Sequence, residues 1–318
     1  MNKMSDTISR LSCWLMVYVC AGLISGCSVK TMAVNSIADA LSEGNAGVYA
    51  TDDDPELVGD ALPFALKTME SLLEATPRHK KLLIATASGF VLYAHAYIVR
   101  PADAMESTHF DVAREQRARA KRLFLRARGY GLRALELNYP SISDSLLNNR
   151  VSILSNCRKE DVPALYWTAA AWGSAISVAK SDMVLVSNFP VAAAMMERAL
   201  QLDEAWGQGA IHEFFIILSA GKSESEGGGI KQAERHFNRA MELNGGRSIS
   251  PLVTMAESVC VLKQDRIKFE QLLKQALEFD VHRYPENRLA NIFAQRKAQN
   301  LMLNIDNLFF ADGDGSER

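Results

Sequence analysis

Helix-forming stretches follow one another along nearly the whole chain, and this pattern is the strongest constraint on its fold. Alanine, leucine, methionine, glutamate and arginine dominate these stretches, and all five favour the α-helix. Alternating runs rich in valine, isoleucine and threonine, which would indicate strands, are nearly absent. The sequence therefore predicts an all-α protein.

Proline and glycine mark the ends of the predicted helices. The first two cover about 58–76 and 79–99 and end at Thr76-Pro77 and Arg100-Pro101, because proline disfavours helix in the residue before it. The third, about 108–138, is expected to break or bend at Gly129 and Gly131. The remaining helices are predicted at about 141–149, 151–157, 163–180, 190–202, 206–221, 229–243, 250–263, 265–279 and 286–310.

Several helices repeat one spacing of small and large apolar residues near their ends. Ala199, Ala240 and Ala276 occupy equivalent small positions, 41 and 36 residues apart. A small residue lets a neighbouring helix approach closely, and the spacing resembles the second helix of tetratricopeptide repeats with insertions. We predict tetratricopeptide-repeat-like helical hairpins packed into one compact helical domain, with a generic helical bundle as the alternative.

The N-terminus has the features of a bacterial lipoprotein signal peptide. Lys3 and Arg10 precede an apolar run over residues 14–24, which is followed by Ser25-Gly26-Cys27. The alternative is a transmembrane helix, but the uninterrupted run of about a dozen residues is shorter than the roughly 20 that span a bilayer. We expect residues 1–26 to be removed and Cys27 to carry lipid, which would anchor the protein at a membrane surface in the periplasm.

This interpretation divides the chain into four parts. The signal peptide (1–26) precedes a lipidated N-terminus and tether (27–57), a helical repeat-like domain (58–310) and a disordered tail (311–318). The tether contains one possible short helix around 34–41. Ser28 is not the retention aspartate of some lipoproteins, which slightly favours the inner leaflet of the outer membrane over the inner membrane.

Net charge argues against some classes of partner. The full chain has a formal charge of −2, and loss of Lys3, Arg10 and Asp6 with the signal peptide leaves −3. No excess positive charge favours binding to nucleic acid or to anionic lipid. Membrane attachment would therefore rest on the lipid.

Two cysteines remain once Cys13 and Cys20 leave with the signal peptide and Cys27 is acylated. An oxidising periplasm would permit a disulfide between Cys157 and Cys260. The apolar stretch around Cys260 favours buried free thiols instead. The sequence leaves both states open.

Candidate catalytic, phosphate and metal motifs are incomplete. Ala220-Gly221-Lys222-Ser223 lacks the earlier glycine of a phosphate-binding loop. His212-Glu213 begins like a zinc-peptidase helix, but Ile216 stands where the second histidine belongs. We therefore predict no enzyme activity, no metal and no cofactor, and we interpret His212 and Glu213 as polar groups in a helix interface or a cavity wall.

Aromatic residues cluster on two predicted helices. Tyr166, Trp167 and Trp172 lie on one, and Trp206, Phe214 and Phe215 on the other. Such residues either pack into a core or line an apolar ligand cavity. The candidate ligand-binding or cavity-lining residues are Tyr166, Trp167, Trp172, His212 and Phe214.

Four blocks carry a family resemblance. They begin with Asp161–Gly173 and continue with Gly209–Phe214, the region 252–273 and Arg288–Ala298. In this order, together with the lipoprotein signal, they resemble the T component of tetratricopeptide-repeat-associated TRAP transporters. The resemblance implies an all-α periplasmic lipoprotein that forms a homotrimer and has no established catalytic residues.

The resemblance also implies partners. The expected partner is the periplasmic substrate-binding protein of a TRAP system, which delivers a small organic ligand, hydrophobic ones included, to a membrane permease. The predicted function is docking this protein and holding or passing its ligand. The alternative is a helical-repeat lipoprotein scaffold for envelope protein assembly. An enzyme is the least favoured interpretation, because the sequence offers only isolated titratable residues and no set expected to meet in one cleft.

Overall fold

The computed structural model describes residues 35–40 and 47–310. The predicted signal peptide, Cys27 and the predicted tail 311–318 lie outside the described residues. Every regular element in the described part is a helix, which confirms the all-α prediction. The repeat-like pairing of helices stays a prediction.

Fourteen helices are labelled here from residue 55 onward, after short helical runs at 35–40 and 47–50. They are α1 Pro55–Ala75, α2 Lys80–Met105, α3 Phe110–Glu136, α4 Ile142–Asn148, α5 Arg150–Ser155, α6 Val162–Ser177, α7 Met183–Val186, α8 Phe189–Leu202, α9 Ala210–Ala220, α10 Ile230–Asn244, α11 (Ser250–Met255, Ala256–Cys260 and Val261–Lys263), α12 Arg266–Leu277, α13 Arg288–Leu303 and α14 Ile305–Leu308.

Aspartate side chains start several of these helices. Asp54, Asp182 and Asp265 each accept a hydrogen bond from the backbone N–H three residues on, at 3.0 Å in all three cases. Such caps satisfy one of the free donors of the first turn and stabilise a helix by about 1 kcal/mol. Pro55 also occupies the first turn of α1, where its missing N–H has no cost.

Helix α2 does not end at Arg100-Pro101, so that predicted boundary was wrong. A π-helical turn, His95–Val99, precedes the proline, and the Arg100 N–H donates to the His95 carbonyl. The wider turn changes the hydrogen-bond register just where Pro101 has no N–H to donate. The helix can therefore continue to Met105.

Helix α3 is also longer than expected, because it runs unbroken through Gly129 and Gly131. A Cβ added to Gly131 would lie 2.1 Å from the Thr168 hydroxyl oxygen on α6. Gly131 therefore marks a close approach of α3 and α6 rather than a helix break. At Gly129, no atom in the described part of the chain lies within 4 Å of the corresponding position.

Two apolar cores are joined through α9. The first gathers buried side chains from α1 to α8 and includes Ile211 and Phe215 of α9. The second is built from α10 to α13 and includes Ile216 of α9. By length and composition, Lys80–Met105 and Met183–Leu202 could cross a membrane, but their apolar residues contribute to the first core.

The two cysteines lie in different cores. Cys157 belongs to the first and Cys260 to the second, and both are buried and free. Burial raises the pKa of each thiol to about 11. The structure therefore has the unpaired, packed thiols that the sequence favoured.

The first and last long helices meet, so the chain closes on itself. Arg296 of α13 forms a two-pronged ion pair with Glu56 of α1, at 2.6 and 3.1 Å. Phe293 packs edge-on against Tyr97 of α2 with ring centroids 5.3 Å apart, and the Tyr97 hydroxyl donates to the Pro55 carbonyl at 2.7 Å. These contacts bring the second core against the start of the first.

Candidate functional site

Three aromatic rings meet where α6 faces the segment before α9. Tyr166 and Trp167 lie 5.1 Å apart, and Trp206 lies 4.4 Å from Tyr166 and 6.4 Å from Trp167. The sequence predicted Trp206 on the same helix as Phe214, but the structure places it on the 3₁₀ turn Trp206–Gly209, before α9. This aromatic cluster contains two of the five candidate residues and one that was not among them.

Trp172 lies elsewhere on α6. It is six residues beyond Tyr166, a rotation of about 240° around the helix, and it is 4% exposed within the first core. Its ring lies under the Arg128 guanidinium at 4.7 Å, and its indole N–H has no hydrogen-bond partner among the described residues. The structure does not bring Trp172 into the aromatic cluster.

Phe214 is half-buried on α9 and packs edge-on against Phe215 at 5.4 Å. It also approaches α6, because a Cβ added to Gly173 would lie 3.8 Å from its ring. Phe214 therefore lies in the contact between α9 and α6. It connects α6, which carries Tyr166 and Trp167, to α9, which contributes to both cores.

His212 points from α9 toward α10. Its Nδ1 lies 2.9 Å from Nδ1 of His236, and its Nε2 lies 3.4 Å from Glu204. Burial lowers the pKa of His212, although Glu204 opposes this, and burial with the nearby His212 lowers the pKa of His236 to about 4. Both imidazoles are therefore neutral at pH 7, and one ring donates while the other accepts.

Glu213, the neighbour of His212, is a central residue that the candidate set omitted. Its carboxylate accepts hydrogen bonds from the hydroxyls of Ser250 and Thr254 on α11, the second at 2.8 Å. Burial and the Glu213 charge raise the pKa of Tyr166 above its ordinary value. Glu213 is therefore hydrogen-bonded to the second core and lies within electrostatic range of Tyr166 in the aromatic cluster. A charged residue within the apolar helix α9 was the sequence signal for it.

Arg100 approaches the same region from the end of the π turn in α2. It donates to the Phe293 carbonyl, and its guanidinium lies over the Phe293 ring at 5.6 Å. Burial lowers the pKa of Arg100, whereas the charges of Glu257 and Glu213 oppose that shift. Glu257 in turn forms an ion pair with Lys297 of α13.

His95 completes this arrangement. Its Nε2 lies 2.7 Å from the Ser174 hydroxyl on α6. Burial, with the charges of Arg100 and Lys297, lowers the pKa of His95 to about 4. His95 is therefore a weak base at neutral pH, so the short contact to Ser174 orients the two side chains rather than activating a nucleophile.

Three polar pairs, His95–Ser174, Glu213–Thr254 and Glu257–Lys297, lie within electrostatic range of Arg100 where the two cores meet, and together with Arg100 they are called the polar cluster. Five helices (α2, α6, α9, α11 and α13) contribute its members, which are His95, Arg100, Ser174, Glu213, Thr254, Glu257 and Lys297. Two of its segments, His95–Val99 and Ala256–Cys260, are π-helical, a geometry that is common at functional sites. The two cations and two carboxylates balance in formal charge.

Two depressions lie away from this junction, and neither is lined by the five candidate residues. One, of about 550 Å³, lies at the end of α12 between Gln271 and Arg283. The other, of about 410 Å³, lies on α3 around Gly129. Among the described residues, no three His, Cys, Asp or Glu side chains are grouped to hold a metal ion.

Comparison with known proteins connects this architecture to transport. A family model described as TRAP transporter T-component matches residues 51–309. An uncharacterised protein of Treponema pallidum (strain Nichols) is 28% identical over 304 residues, which cover 90% of this chain and 94% of that protein. The matched span includes every labelled helix and both clusters. The chain belongs to the TRAP transporter T-component family.

Proposed function

We propose that this protein docks the periplasmic substrate-binding protein of its TRAP system and holds or passes a small organic ligand. The observation that carries this proposal is Glu213 on α9, which accepts hydrogen bonds from Ser250 and Thr254 of the second core and directly precedes Phe214, whose ring approaches α6. A surface with apolar rings at one end and a few fixed polar groups at the other is typical of small-molecule sites.

Partial solvent exposure supports a cleft at this junction. Tyr166, Trp206, Arg100, Glu213 and Lys297 are neither buried nor exposed, whereas the neighbouring Ile211 and Ile216 are fully buried. Partly exposed charged and aromatic side chains near a junction of two cores are expected where solvent reaches that junction. The junction is therefore the place where a ligand would enter between the cores.

Anchoring and assembly complete the proposal. Lipid on Cys27 would hold the protein at a membrane in the periplasm, with the inner leaflet of the outer membrane preferred, and three copies would assemble. Replacing Cys27 by serine should release the protein from membranes. Light scattering of the detergent-solubilised protein should give three times the protomer mass.

Docking is tested by purifying the full-length protein from its own membranes in mild detergent and identifying what accompanies it by mass spectrometry. Co-purification of a substrate-binding protein supports the proposal. Recovery of envelope assembly proteins without that receptor would instead favour the scaffold function.

Ligand binding is tested with the apolar fluorescent probe anilinonaphthalene sulfonate. In a Trp172→Phe variant, Trp167 and Trp206 remain in the described part of the chain and report on the aromatic cluster. The probe should quench their fluorescence, and Tyr166→Ala should weaken its binding by up to about tenfold, since an aromatic contact contributes about 0.5–1.5 kcal/mol. Equal affinity in both proteins would refute a ligand site at this cluster.

A further inference from the structure

Helix α3 carries a row of arginines on its outer face. Arg119, Arg122, Arg126 and Arg133 follow one another at intervals of three, four and seven residues, so they share one side of the helix. This basic stripe extends about 21 Å at 1.5 Å per residue. Glu115 lies on the same side one turn earlier, so the stripe begins at Arg119.

Most of the stripe's charge is not neutralised by the residues that the structure describes. Arg117 and Lys121, on other sides of α3, form close ion pairs with Asp103, Glu106 and Asp182. Arg119 and Arg122 form no ion pair with any acidic side chain that the structure describes. Among the described acidic residues, Arg126 pairs only with Glu70, at 3.6 Å through Nε. The stripe is therefore a basic surface on a chain of net charge −2.

Two of the stripe's guanidinium groups are held on an aromatic support. Arg126 lies over the Phe90 ring at 5.5 Å and Arg133 lies over the Tyr130 ring at 5.3 Å. The two rings are parallel to within 3°, with centroids 6.2 Å apart. These cation–π contacts restrict the arginines before any partner arrives, which lowers the entropy lost on binding.

An open depression separates these two arginines. Its volume is about 410 Å³, and its lining consists of Arg126, Gly129, Tyr130, Leu132, Arg133, Glu136 and Ser143. Gly129 is the glycine among these lining residues, and no atom of the described residues lies within 4 Å of the position that its Cβ would occupy. A helical glycine is less favourable than alanine by about 1 kcal/mol. Since no packing contact requires Gly129, its effect is to leave room above the helix backbone.

We propose that the basic stripe docks an acidic face of the TRAP substrate-binding protein, with one carboxylate side chain seated over Gly129 between Arg126 and Arg133. This inference rests on the proposed function. Arginine binds carboxylates through paired N–H groups, and the stripe is longer than a small ligand. A flat lipid surface would contact the arginines without entering the depression.

The test measures binding of the full-length protein, in neutral detergent, to the immobilised substrate-binding protein of the same system. Arg119→Glu with Arg122→Glu should lower the association rate at least about tenfold, because rim charges act mainly on that rate. Gly129→Ala should raise Kd about fivefold without lowering Tm, since its methyl group takes up room in the depression. Lys231→Glu with Lys274→Glu, on the second core, makes the same change in charge and should bind within about twofold of the unmodified protein.

The outcomes separate the two proposals. No binding by the unmodified protein would overturn the proposed function and this inference with it. Normal binding by both α3 variants would overturn the inference alone. The measurement is repeated in nanodiscs of phosphatidylcholine and of phosphatidylglycerol. An effect of the α3 variants that occurs only with phosphatidylglycerol would assign the stripe to lipid headgroups and also overturn it.

Discussion

The two glycines of α3 provide a sharp test of the packing, because the same substitution should have opposite effects two residues apart. A methyl group at Gly131 would lie 2.1 Å from the Thr168 hydroxyl oxygen and 3.2 Å from the Thr168 Cα. A methyl group at Gly129 would have no atom of residues 35–40 or 47–310 within 4 Å. Gly131→Ala should therefore destabilise the protein and Gly129→Ala should stabilise it.

The expected size follows from three contributions at Gly131. Overpacking in a close helix contact costs about 1–3 kcal/mol. Rotation of Thr168 away from the clash would also lose its 2.6 Å hydrogen bond to the Ala164 carbonyl, which contributes about 1 kcal/mol. The higher helix propensity of alanine offsets about 1 kcal/mol. The sum is a net loss of about 1–3 kcal/mol for Gly131→Ala, against a gain of up to about 1 kcal/mol for Gly129→Ala.

Thermal unfolding followed by circular dichroism at the helix band measures both effects. At about 2–4 °C per kcal/mol for a large domain, Gly131→Ala should lower Tm by roughly 2–12 °C, and Gly129→Ala should raise it by up to roughly 2–4 °C. Adding Thr168→Ala to Gly131→Ala should recover part of the loss, because it removes the nearest atom but not the Thr168 backbone. An unchanged Tm for Gly131→Ala would refute the close approach of α3 and α6.

Three further predictions concern buried polar groups. Burial lowers the pKa of His95 and of His236 to about 4 in the fold, whereas the unfolded value is near 6.5. The unfolded chain therefore binds more protons between these values, and Tm should fall as the pH is lowered from about 6.5 to 4. A flat profile of Tm against pH in this range would refute the prediction, and His236→Gln should reduce the slope. Asp161→Ala should lower the free energy of unfolding by about 3–5 kcal/mol, because the 2%-exposed carboxylate pairs with Lys80 at 2.7 Å and its loss leaves the partly buried ammonium without its partner. Denaturant unfolding measures this change, and Asp53→Ala at an exposed position is the neutral control. In a chain that begins at Ser28, Ellman's reagent should find no reactive thiol in the native protein and two after unfolding; one or none after unfolding would indicate a disulfide or another modification.

The sequence predicts the helices well, because their periodicity and caps act locally. Most boundaries agree with the structure to within a few residues, and Ala199, Ala240 and Ala276 are buried where helices approach. The end of α2 was mispredicted because the effect of Pro101 depends on the hydrogen-bond register of the turn before it. That register is set by packing of the whole helix.

The site was less predictable, since it depends on contacts between distant segments. Residue type identified Tyr166, Trp167 and Phe214 as aromatic candidates. The same criterion also selected Trp172, which lies on another side of α6 from Tyr166 and outside the aromatic cluster. Arg100 meets the Phe293 carbonyl across 193 residues, and no local pattern encodes that meeting. The basic stripe, by contrast, could have been found from spacing alone, and the net charge of the chain concealed it.

The contact between α1 and α13 also determines when the fold can be completed. Glu56 and Arg296 are separated by 240 positions, so α1 leaves the ribosome long before its ion-pair partner is made. The entropic cost of closing so long a loop grows only with the logarithm of its length. The main consequence is instead the delay between the synthesis of α1 and the synthesis of α13. Until α13 is synthesised, Tyr97 and the acidic start of α1 lack their final packing and ion-pair partners. A chain that loses its last helices would therefore also lose contacts that hold the first helix in place.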